Sequence, residues 1–399
     1  MSTEPNSTKS RRIVPIGPYH PLQEEPEFFK LVVEGETVVD MEIHLGYNHR
    51  GHEFISPELT YDQIPFLVER ICGICSNSHP FACVLATEDC AGITPPPRAQ
   101  YIRVITQELE RIHSHLLWVG LAGHFIGYNT VWMWAWRYRE PVLQIFEMLT
   151  GNRNHYAANK PGGVRRDIKK EQIPDILKAL ELVEKKTWML TKAVLDDPVI
   201  RARLEGVGIL TREQAVAYST VGPTARGSGF DIDLRRDEPC AAYGEIPFNV
   251  IVCQEGDVFA KAKVRLLETI ESCKIIRHAL EHLPDGPIEA RVDEIPPGEG
   301  VGRQEAPRGE VFHYIRSDGT NRPLRHKVRA PSYMNIASNV VAVRGGSIAD
   351  AALTLAAVDP CYCCTERMVA FEDGKLKYTW QELLRLSWLK TERVRGRLG

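Results

Sequence analysis

Two cysteine pairs with the same spacing stand near opposite ends of the chain. Cys72 and Cys75 form the first C-x-x-C pair, Cys361 and Cys364 form the second, and 285 residues lie between them. Four thiolates make a soft donor set that suits nickel, iron, zinc or copper(I) better than magnesium or calcium. In zinc knuckles the two pairs are roughly 15–20 residues apart. A site built from these four cysteines therefore requires the tertiary fold of a whole domain.

Other interpretations of the cysteines stay open at this level. A structural zinc site, buried inert thiols and disulfides each account for paired cysteines. Cys363 lies inside the second pair, so Cys361 and Cys363 are an alternative ligand pair, although the repeated spacing favours Cys361 with Cys364. The remaining cysteines are expected to be small core residues: Cys83, Cys90, Cys240, Cys253 and Cys273.

Composition indicates an ordinary globular chain. Of the 399 residues 43% are hydrophobic and 25% are charged, and the net charge of −3 gives no sign of a nucleic-acid partner. Ten cysteines are too few for a disulfide scaffold, and no secretory signal is visible, so a reducing compartment is expected. The segment from Leu116 to Trp136 carries no Asp, Glu, Lys or Arg. Its glycines, with His124 and Asn129, favour a kinked buried helix over a membrane span.

The pattern along the chain predicts an α+β fold that is mainly α, with long helices at its centre. Residues 1–12 are expected to be a disordered tail, and residues 13–367 a single domain. Within that domain we predict an N-terminal β portion over 13–55, a helical core over 56–285 and a β and loop region over 286–367. Residues 368–399 form a C-terminal extension.

Apolar residues at three- and four-residue spacing predict a long amphipathic helix through residues 102–116. Four charged residues lie on the opposite side of that helix and are expected to face water: Arg103, Glu108, Glu110 and Arg111.

The first cysteine pair is predicted to lie inside, or at a break in, a helical stretch from Tyr61 to about Gly92, because Gly73 disfavours helix. The glycine-rich segment 222–229 is predicted to be a long loop. It lacks the Lys-Ser/Thr of a phosphate-binding P-loop, so no nucleotide site is expected there.

Several ordered segments resemble the large, catalytic subunit of nickel–iron hydrogenases. They are Arg70–Ser76, Glu305–Glu310 and Asp359–Arg367. A closer resemblance, to the membrane-bound, energy-converting group related to respiratory complex I, extends over most of the chain. It is carried by residues 17–21, 46–51, 108–115, 162–167 and 221–227.

The resemblance implies a nickel–iron centre. By it, Cys72, Cys75, Cys361 and Cys364 ligate nickel, and Cys75 and Cys364 also bridge to an iron that carries carbon monoxide and cyanide. Hydrogen is split heterolytically, and the terminal thiolate of Cys361 is the expected first base. Arg308 matches the family arginine that reaches over the metals, although in isolation an arginine in a loop suggests an ordinary salt bridge.

Two carboxylates and one basic residue complete the implied site. Glu25 matches the carboxylate that passes protons toward solvent, although its sequence also fits a solvated acidic turn. Glu53 resembles a carboxylate that supports the metal ligands. At Arg367 many relatives have a histidine that joins a magnesium site, so the arginine here argues against magnesium. Several relatives are cut after this motif, which predicts cleavage after Arg367; the alternative is a permanent surface helix.

The implied function is that of the catalytic subunit of a membrane-associated nickel–iron hydrogenase, which cleaves H2 or reduces protons while partner subunits translocate ions. A quinone-site subunit like that of complex I and a sulfur-compound-reducing relative are the alternatives. The quinone-type relatives lack the four thiolates, so the cysteine pairs favour the hydrogenase.

The resemblance also implies partners. The chain has no C-x-x-C-x-x-C cluster motif of its own, so an iron–sulfur cluster is expected on a small partner subunit. Membrane subunits are expected to anchor the chain peripherally on the cytoplasmic side of the membrane. Ferredoxin, a carbon monoxide dehydrogenase or a formate dehydrogenase would then exchange electrons with the complex.

Overall fold

Short antiparallel sheets flank the helices of the chain. The computed structural model describes residues 10–21, 23–292, 294–365, 370–372 and 375–398. In these ranges β1–β2–β3 and β6–β7–β8 form three-stranded sheets, and β4–β5 and β9–β10 form hairpins. The strands are β1 Arg11–Ile16, β2 Phe28–Glu34, β3 Thr37–His44, β4 Asn159–Lys160, β5 Gly163–Val164, β6 Gly298–Ala306, β7 Gly309–Ser317, β8 Pro323–Arg329, β9 Ala370–Glu372 and β10 Lys375–Tyr378.

Helices account for 52% of the structure and strands for 15%, which confirms the predicted mainly α, α+β class. The helices are α1 His52–Ile55, α2 Ile64–Glu69, α3 Ser78–Ala91, α4 Pro97–Phe125, α5 Asn129–Thr150, α6 Ile173–Asp196, α7 Pro198–Leu204, α8 Arg212–Ala217, α9 Gly222–Arg226, α10 Leu234–Asp237, α11 Val258–Glu281, α12 Pro331–Asn335, α13 Asn339–Ala342, α14 Ile348–Ala356 and α15 Trp380–Leu398.

The central core forms where α4, α5, α6 and α11 pack together. Their apolar faces meet in one cluster, to which α4 contributes Ile105 and Leu109, α5 Phe146, α6 Leu180 and α11 Leu266. The regular three- and four-residue spacing of such residues places them on one side of each helix, and burying them supplies most of the helical stability.

The polar face of α4 is buried, which corrects the expectation that Glu108 and Arg111 face water. Both side chains are fully buried, and their charged groups lie 3.1 Å apart. Arg235 reaches Glu108 at 3.3 Å from another element. Burial would raise the pKa of Glu108, but the two guanidinium groups and hydrogen bonds from Ser272 and Tyr243 hold it at about 2. The partners that make this burial possible come from distant segments, so the local pattern could not reveal it.

Helix α3 packs directly against the β6–β7 hairpin. A Cβ on Gly300 would lie 2.1 Å from the carbonyl oxygen of Ala86, and one on Gly302 would lie 2.0 Å from that of Ala82. Only glycine permits this close approach of strand to helix backbone. The contact places the middle of α3 against the side chains of β7.

The first sheet begins before residue 13, where the predicted domain starts. Arg11 and Arg12 belong to β1, where they pair with Glu34 and Val33 of β2, and the Arg11 guanidinium lies 2.8 Å from the Glu34 carboxylate. Residues 1–9 lie outside the described residues. The alternation of buried and half-buried side chains in β2 confirms a sheet with one covered face. The division at residues 13, 56, 286 and 368 stays a prediction.

The uncharged segment from Leu116 to Trp136 folds as parts of two helices. Helix α4 ends at Phe125 and α5 begins at Asn129, with the left-handed Gly127 between them. Among the described residues, no helix is sufficiently long and apolar to cross a bilayer. The predicted break is therefore present, but it separates two helices that pack against each other.

Candidate metal centre

The first cysteine pair lies in the connection between α2 and α3. Helix α2 ends at Glu69, and the Arg50 guanidinium donates hydrogen bonds of 2.6 Å to the carbonyls of Arg70 and Ile71. The turn is tight: the backbone N–H groups of Ile74 and Cys75 both point at the Cys72 Sγ, 3.4 Å away. The structure thus has the predicted break in the helix at the first pair.

Glu110 of α4 fixes the start of α3 immediately after this turn. Its carboxylate accepts hydrogen bonds from the backbone N–H groups of Asn77 and Ser78, the second at 3.0 Å. Such bonds satisfy N–H groups that the first turn of a helix leaves free. Burial raises the pKa of Glu110 to about 8 despite these bonds. The buried polar face of α4 therefore sets the position of Cys75.

The second pair lies in a single turn after α14. The backbone N–H of Cys361 donates to the Ser332 Oγ at 3.0 Å, and the Thr365 hydroxyl closes the turn on the carbonyl of Tyr362 at 2.8 Å. The ring of Tyr362 packs on Phe29 of β2, with centroids 5.9 Å apart. The N-terminal sheet thereby holds the second pair from outside.

The fold brings the two pairs together. The sulfur atoms of Cys72, Cys361 and Cys364 all lie within 4.8 Å of one another, and those of Cys361 and Cys364 are 2.9 Å apart. Cys75 adjoins this group through its contact with Cys72. The cysteines are free thiols, so the disulfide alternative does not apply. Cys363 lies beside the group and not in it, in agreement with the preference for Cys361 with Cys364.

The four thiols of the cluster shift one another's pKa values. Hydrogen bonds from the thiols of Cys361, Cys364 and Cys75 hold the pKa of Cys72 well below its usual value. The pKa values of Cys361 and Cys75 are raised by hydrogen bonding within the cluster and by burial. A negative charge on one of these sulfur atoms thus disfavours a second on its neighbours, and a bound cation would offset that repulsion. A soft cation at the centre fits this donor set.

Arg308 connects the two cysteine pairs. Its guanidinium donates to the carbonyl of Asp359 at 2.8 Å and lies 2.7 Å from the Asp359 carboxylate. The same side chain donates to the Cys75 Sγ at 3.3 Å and to the Ser114 hydroxyl at 3.2 Å. The buried Arg308 thus reaches the thiol cluster, and it is also the salt-bridge partner that its sequence alone would suggest.

The turn that carries Arg308 is fixed by the segment around Gly222. Arg308 lies between β6 and β7, and a Cβ on Gly222 would lie 2.4 Å from the Arg308 carbonyl oxygen. Gly222 begins the short helix α9, so the predicted long loop at 222–229 is wrong. The correction has a physical cause: Pro223 suits the first turn of a helix, and Gly222 takes the left-handed conformation before it.

Glu25 lies between the second cysteine pair and the surface. Its carboxylate accepts a hydrogen bond of 2.6 Å from the backbone N–H of Cys363. Burial, and then the negative charge of Cys72, raises the pKa of Glu25. With Tyr19 and His20 it lines a cleft of about 350 Å³ that opens to solvent.

Glu53 is bound to strand β8. On α1, its carboxylate contacts the ammonium of Lys327 and accepts a hydrogen bond of 3.0 Å from the backbone N–H of Val328. Arg367 lies outside the described residues, so the predictions on magnesium and on cleavage stay untested.

Sequence reasoning missed one residue at the cluster. His79 of α3 lies with its Nε2 3.4 Å from the Cys364 Sγ and is almost fully buried. The sequence could have indicated this residue, because His79 follows Cys75 by only four residues and lies in the first turn of α3.

Two family descriptions match the sequence. The family described as respiratory-chain NADH dehydrogenase, 49 Kd subunit, matches residues 126–295 and 290–367. The family described as nickel-dependent hydrogenase matches residues 50–120, which contain Cys72 and Cys75.

Individual proteins also match most of this chain. The membrane-bound hydrogenase subunit alpha of Pyrococcus furiosus is 40% identical, over 96% of this chain and 93% of its own. The carbon monoxide-induced hydrogenase of Rhodospirillum rubrum is 39% identical, over 89% of this chain and 99% of its own. A solved chain of the membrane-bound sulfane sulfur reductase, an archaeal respiratory membrane complex, has a TM-score of 0.86 and 28% identity; the match covers 90% of this chain and 100% of that one.

The fold and the buried thiol cluster, together with these matches, define a hydrogenase large subunit of the type related to complex I. The chain belongs to the family of nickel–iron hydrogenase large subunits, in the membrane-bound, energy-converting group.

Proposed function

We propose that this chain is the catalytic subunit of a membrane-associated hydrogenase that converts H2 reversibly into two protons and two electrons. The observation that carries the proposal is the buried group of thiols beside Arg308, in a chain of this family. The four cysteines, Cys72, Cys75, Cys361 and Cys364, would hold nickel, and Cys75 and Cys364 would also bind an iron with carbon monoxide and cyanide ligands. When bound, this centre supplies the Lewis acid that polarises H2.

The residues of the chain supply the rest of the chemistry. Cys361 accepts the proton released from H2, since a thiolate near a fixed positive charge is basic enough to take it and acidic enough to release it. The Arg308 guanidinium, aimed at Cys75 and fixed by Asp359, stabilises negative charge that develops at the centre. Burial excludes water, which strengthens this interaction.

Glu25 then carries the proton from the cluster to the surface cleft. Two observations support this role: the carboxylate contacts the turn that contains Cys361 and Cys364, and it lines a cleft open to solvent. Burial raises the pKa of the Glu25 carboxyl group, and a carboxyl group can both take and give a proton in a relay.

Replacing Glu25 by glutamine tests the relay. Glutamine keeps an oxygen to accept from the Cys363 N–H but holds no transferable proton, so hydrogen-dependent dye reduction is expected to fall by about 10²–10⁴-fold at unchanged nickel content. Glu36→Gln, at the exposed turn between β2 and β3, is the control and is expected to retain activity. Full activity of Glu25→Gln would contradict the relay.

The electrons released must leave through another subunit. Both hydrogenase relatives and the sulfane sulfur reductase are named for membrane complexes or hydrogenases. The proposed assembly therefore has a small subunit with an iron–sulfur cluster next to this chain and ion-translocating membrane subunits that hold it on the cytoplasmic side. The proposed electron partner is ferredoxin, a carbon monoxide dehydrogenase or a formate dehydrogenase.

A second candidate function is reduction of sulfur compounds. It is favoured by the likeness to the sulfane sulfur reductase chain, at a TM-score of 0.86. Hydrogen-dependent dye reduction discriminates, because a sulfur reductase would carry the metal without that activity. The quinone-site alternative requires no metal, so the thiol cluster argues against it.

We further propose that the extension is removed after Arg367 when the metal has been inserted. The described part of α15 is mostly solvent-exposed, and Trp388 is 59% exposed, so these residues contribute little to a core. The intact mass of the natively matured subunit is expected to lack the last 32 residues. The Cys361→Ser chain, which should take up no nickel, is expected to keep them. A full-length matured subunit would exclude cleavage.

A further inference from the structure

A chain of three histidines extends from the thiol cluster into the protein. His79 Nε2 contacts the Cys364 Sγ at 3.4 Å, and His79 Nδ1 lies 3.1 Å from His313 Nε2. His313 Nδ1 lies 2.8 Å from His326 Nε2, and His326 Nδ1 lies 2.7 Å from the Ser56 Oγ. Besides the cysteine turn, four segments contribute: α3, β7, β8 and the turn after α1 that carries Ser56. We call Ser56, His326, His313 and His79 the histidine chain.

Every ring nitrogen of the histidine chain has a hydrogen-bond partner. A neutral imidazole has one N–H donor and one acceptor nitrogen, so the direction of one bond fixes the direction of the next. A thiolate at Cys364 can only accept, so His79 must donate from Nε2 and accept at Nδ1. It follows that His313 and His326 also donate from Nε2, and that the Ser56 hydroxyl donates to His326 Nδ1.

The surroundings keep these imidazoles neutral. His79, His313, His326 and Ser56 are each no more than 1% exposed. Burial lowers the pKa of His326 to about 4, and burial, with the neighbouring imidazoles His326 and His79, lowers that of His313 well below its usual value. An imidazolium would have two donors and would break the one-directional order.

We propose that His313, His326 and Ser56 are positioning residues that hold His79 in the tautomer that donates a hydrogen bond to the Cys364 sulfur. The assignment of Cys364 as a metal-binding thiolate rests on the proposed function. Residues that hydrogen-bond to the neighbours of a metal ligand orient that ligand and tune its basicity. None of the three residues touches the thiols, and they reach the cluster only through His79.

A different use of the same residues is a second metal site. Cys83 of α3, His313 and His326 place ligand atoms within 4.8 Å of one another. However, the facing nitrogens of His313 and His326 are 2.8 Å apart and already pair with each other, and burial raises the pKa of the Cys83 thiol. The hydrogen-bonded chain accounts for all four ring contacts, whereas a metal would break the central one.

The tautomers are measured first, on the matured, metal-loaded complex labelled with ¹⁵N-histidine, in which Cys364 is held as a thiolate. The ¹⁵N shifts of His79, assigned by comparison with a His79→Gln chain, are expected to show a protonated Nε2 and a free Nδ1. His313→Phe removes the donor to His79 Nδ1 and is expected to shift His79 toward the other tautomer. His313→Gln presents an amide N–H to the same nitrogen and is expected to preserve it. A protonated Nδ1 of His79 in the unsubstituted chain would overturn the proposal, whether or not the complex proves to be a hydrogenase.

The matured complex supplies the second readout. His313→Phe is expected to reduce hydrogen-dependent turnover by about 10–100-fold with nickel retained, and His313→Gln is expected to recover most of it. Cys83→Ala, which leaves every bond of the chain intact, is the matched control and is expected to change neither tautomer nor turnover. A second metal ion per chain that is lost in Cys83→Ala would overturn the proposal in favour of the metal site.

Discussion

Replacing Cys361 by serine is expected to abolish nickel binding and hydrogen-dependent dye reduction together. The Cys361 sulfur lies 2.9 Å from that of Cys364 and within the group that includes Cys72. Its loss therefore removes one sulfur donor from the proposed metal site. A serine hydroxyl is a harder and far less acidic donor, which suits nickel poorly. The rate is expected to fall by at least about 10³-fold, since a bound Lewis acid contributes several kcal/mol to such reactions.

The neighbouring cysteine provides the control for this substitution. Cys363 is half-buried, and both its backbone N–H and its thiol bond the Glu25 carboxylate; a serine hydroxyl at this position can still donate to it. Cys363→Ser is therefore expected to keep both nickel and activity. Nickel analysis of the two purified variants decides between the ligand pairs: loss in Cys363→Ser with retention in Cys361→Ser would mean that Cys361 and Cys364 are not the second pair.

Replacing Arg308 by lysine is expected to separate metal binding from catalysis. Lysine keeps a positive charge near Asp359, but its single ammonium cannot make the forked contact with Asp359 and also reach Cys75. Loss of one preorganised charged donor is expected to lower turnover by about 10²–10³-fold, at a nickel content close to that of the unsubstituted protein.

Two comparisons make the Arg308 prediction specific. Arg303→Lys, at an exposed position of β6 that pairs with Glu238, is expected to have no effect on turnover. Arg308→Met leaves the buried Asp359 without its closest partner and is expected to destabilise the chain by roughly 3–5 kcal/mol in thermal unfolding. If Arg308→Lys lost nickel and activity in equal proportion, Arg308 would serve the structure of the site and not its chemistry.

The sequence predicted the position of helices better than the burial of their polar side chains. Periodicity located the central helix α4, because its apolar residues repeat at helical spacing. It failed for the polar face of α4, since Glu108 and Arg111 are buried by partners such as Arg235, which lies 124 residues beyond Arg111. Local pattern carries no information about partners so distant in sequence.

The thiol cluster could be predicted from the sequence, whereas the histidine chain could not. The repeated C-x-x-C spacing gave Cys72, Cys75, Cys361 and Cys364 as a set before any fold was known. The contacts of His79 with His313 and of His313 with His326 depend on how α3 packs on β6 and β7. That packing depends on the close approach of Gly300 and Gly302 to the backbone of α3, which no sequence motif indicates.

We propose that the buried thiols hold nickel and that this centre activates hydrogen. Metal analysis of the natively matured complex, combined with a hydrogen-dependent dye-reduction assay on the same sample, tests this proposal. About one nickel per chain together with activity is expected. Zinc alone, or a stable complex without metal, would contradict it and favour the quinone-type interpretation, and nickel without hydrogen activity would point to reduction of sulfur compounds.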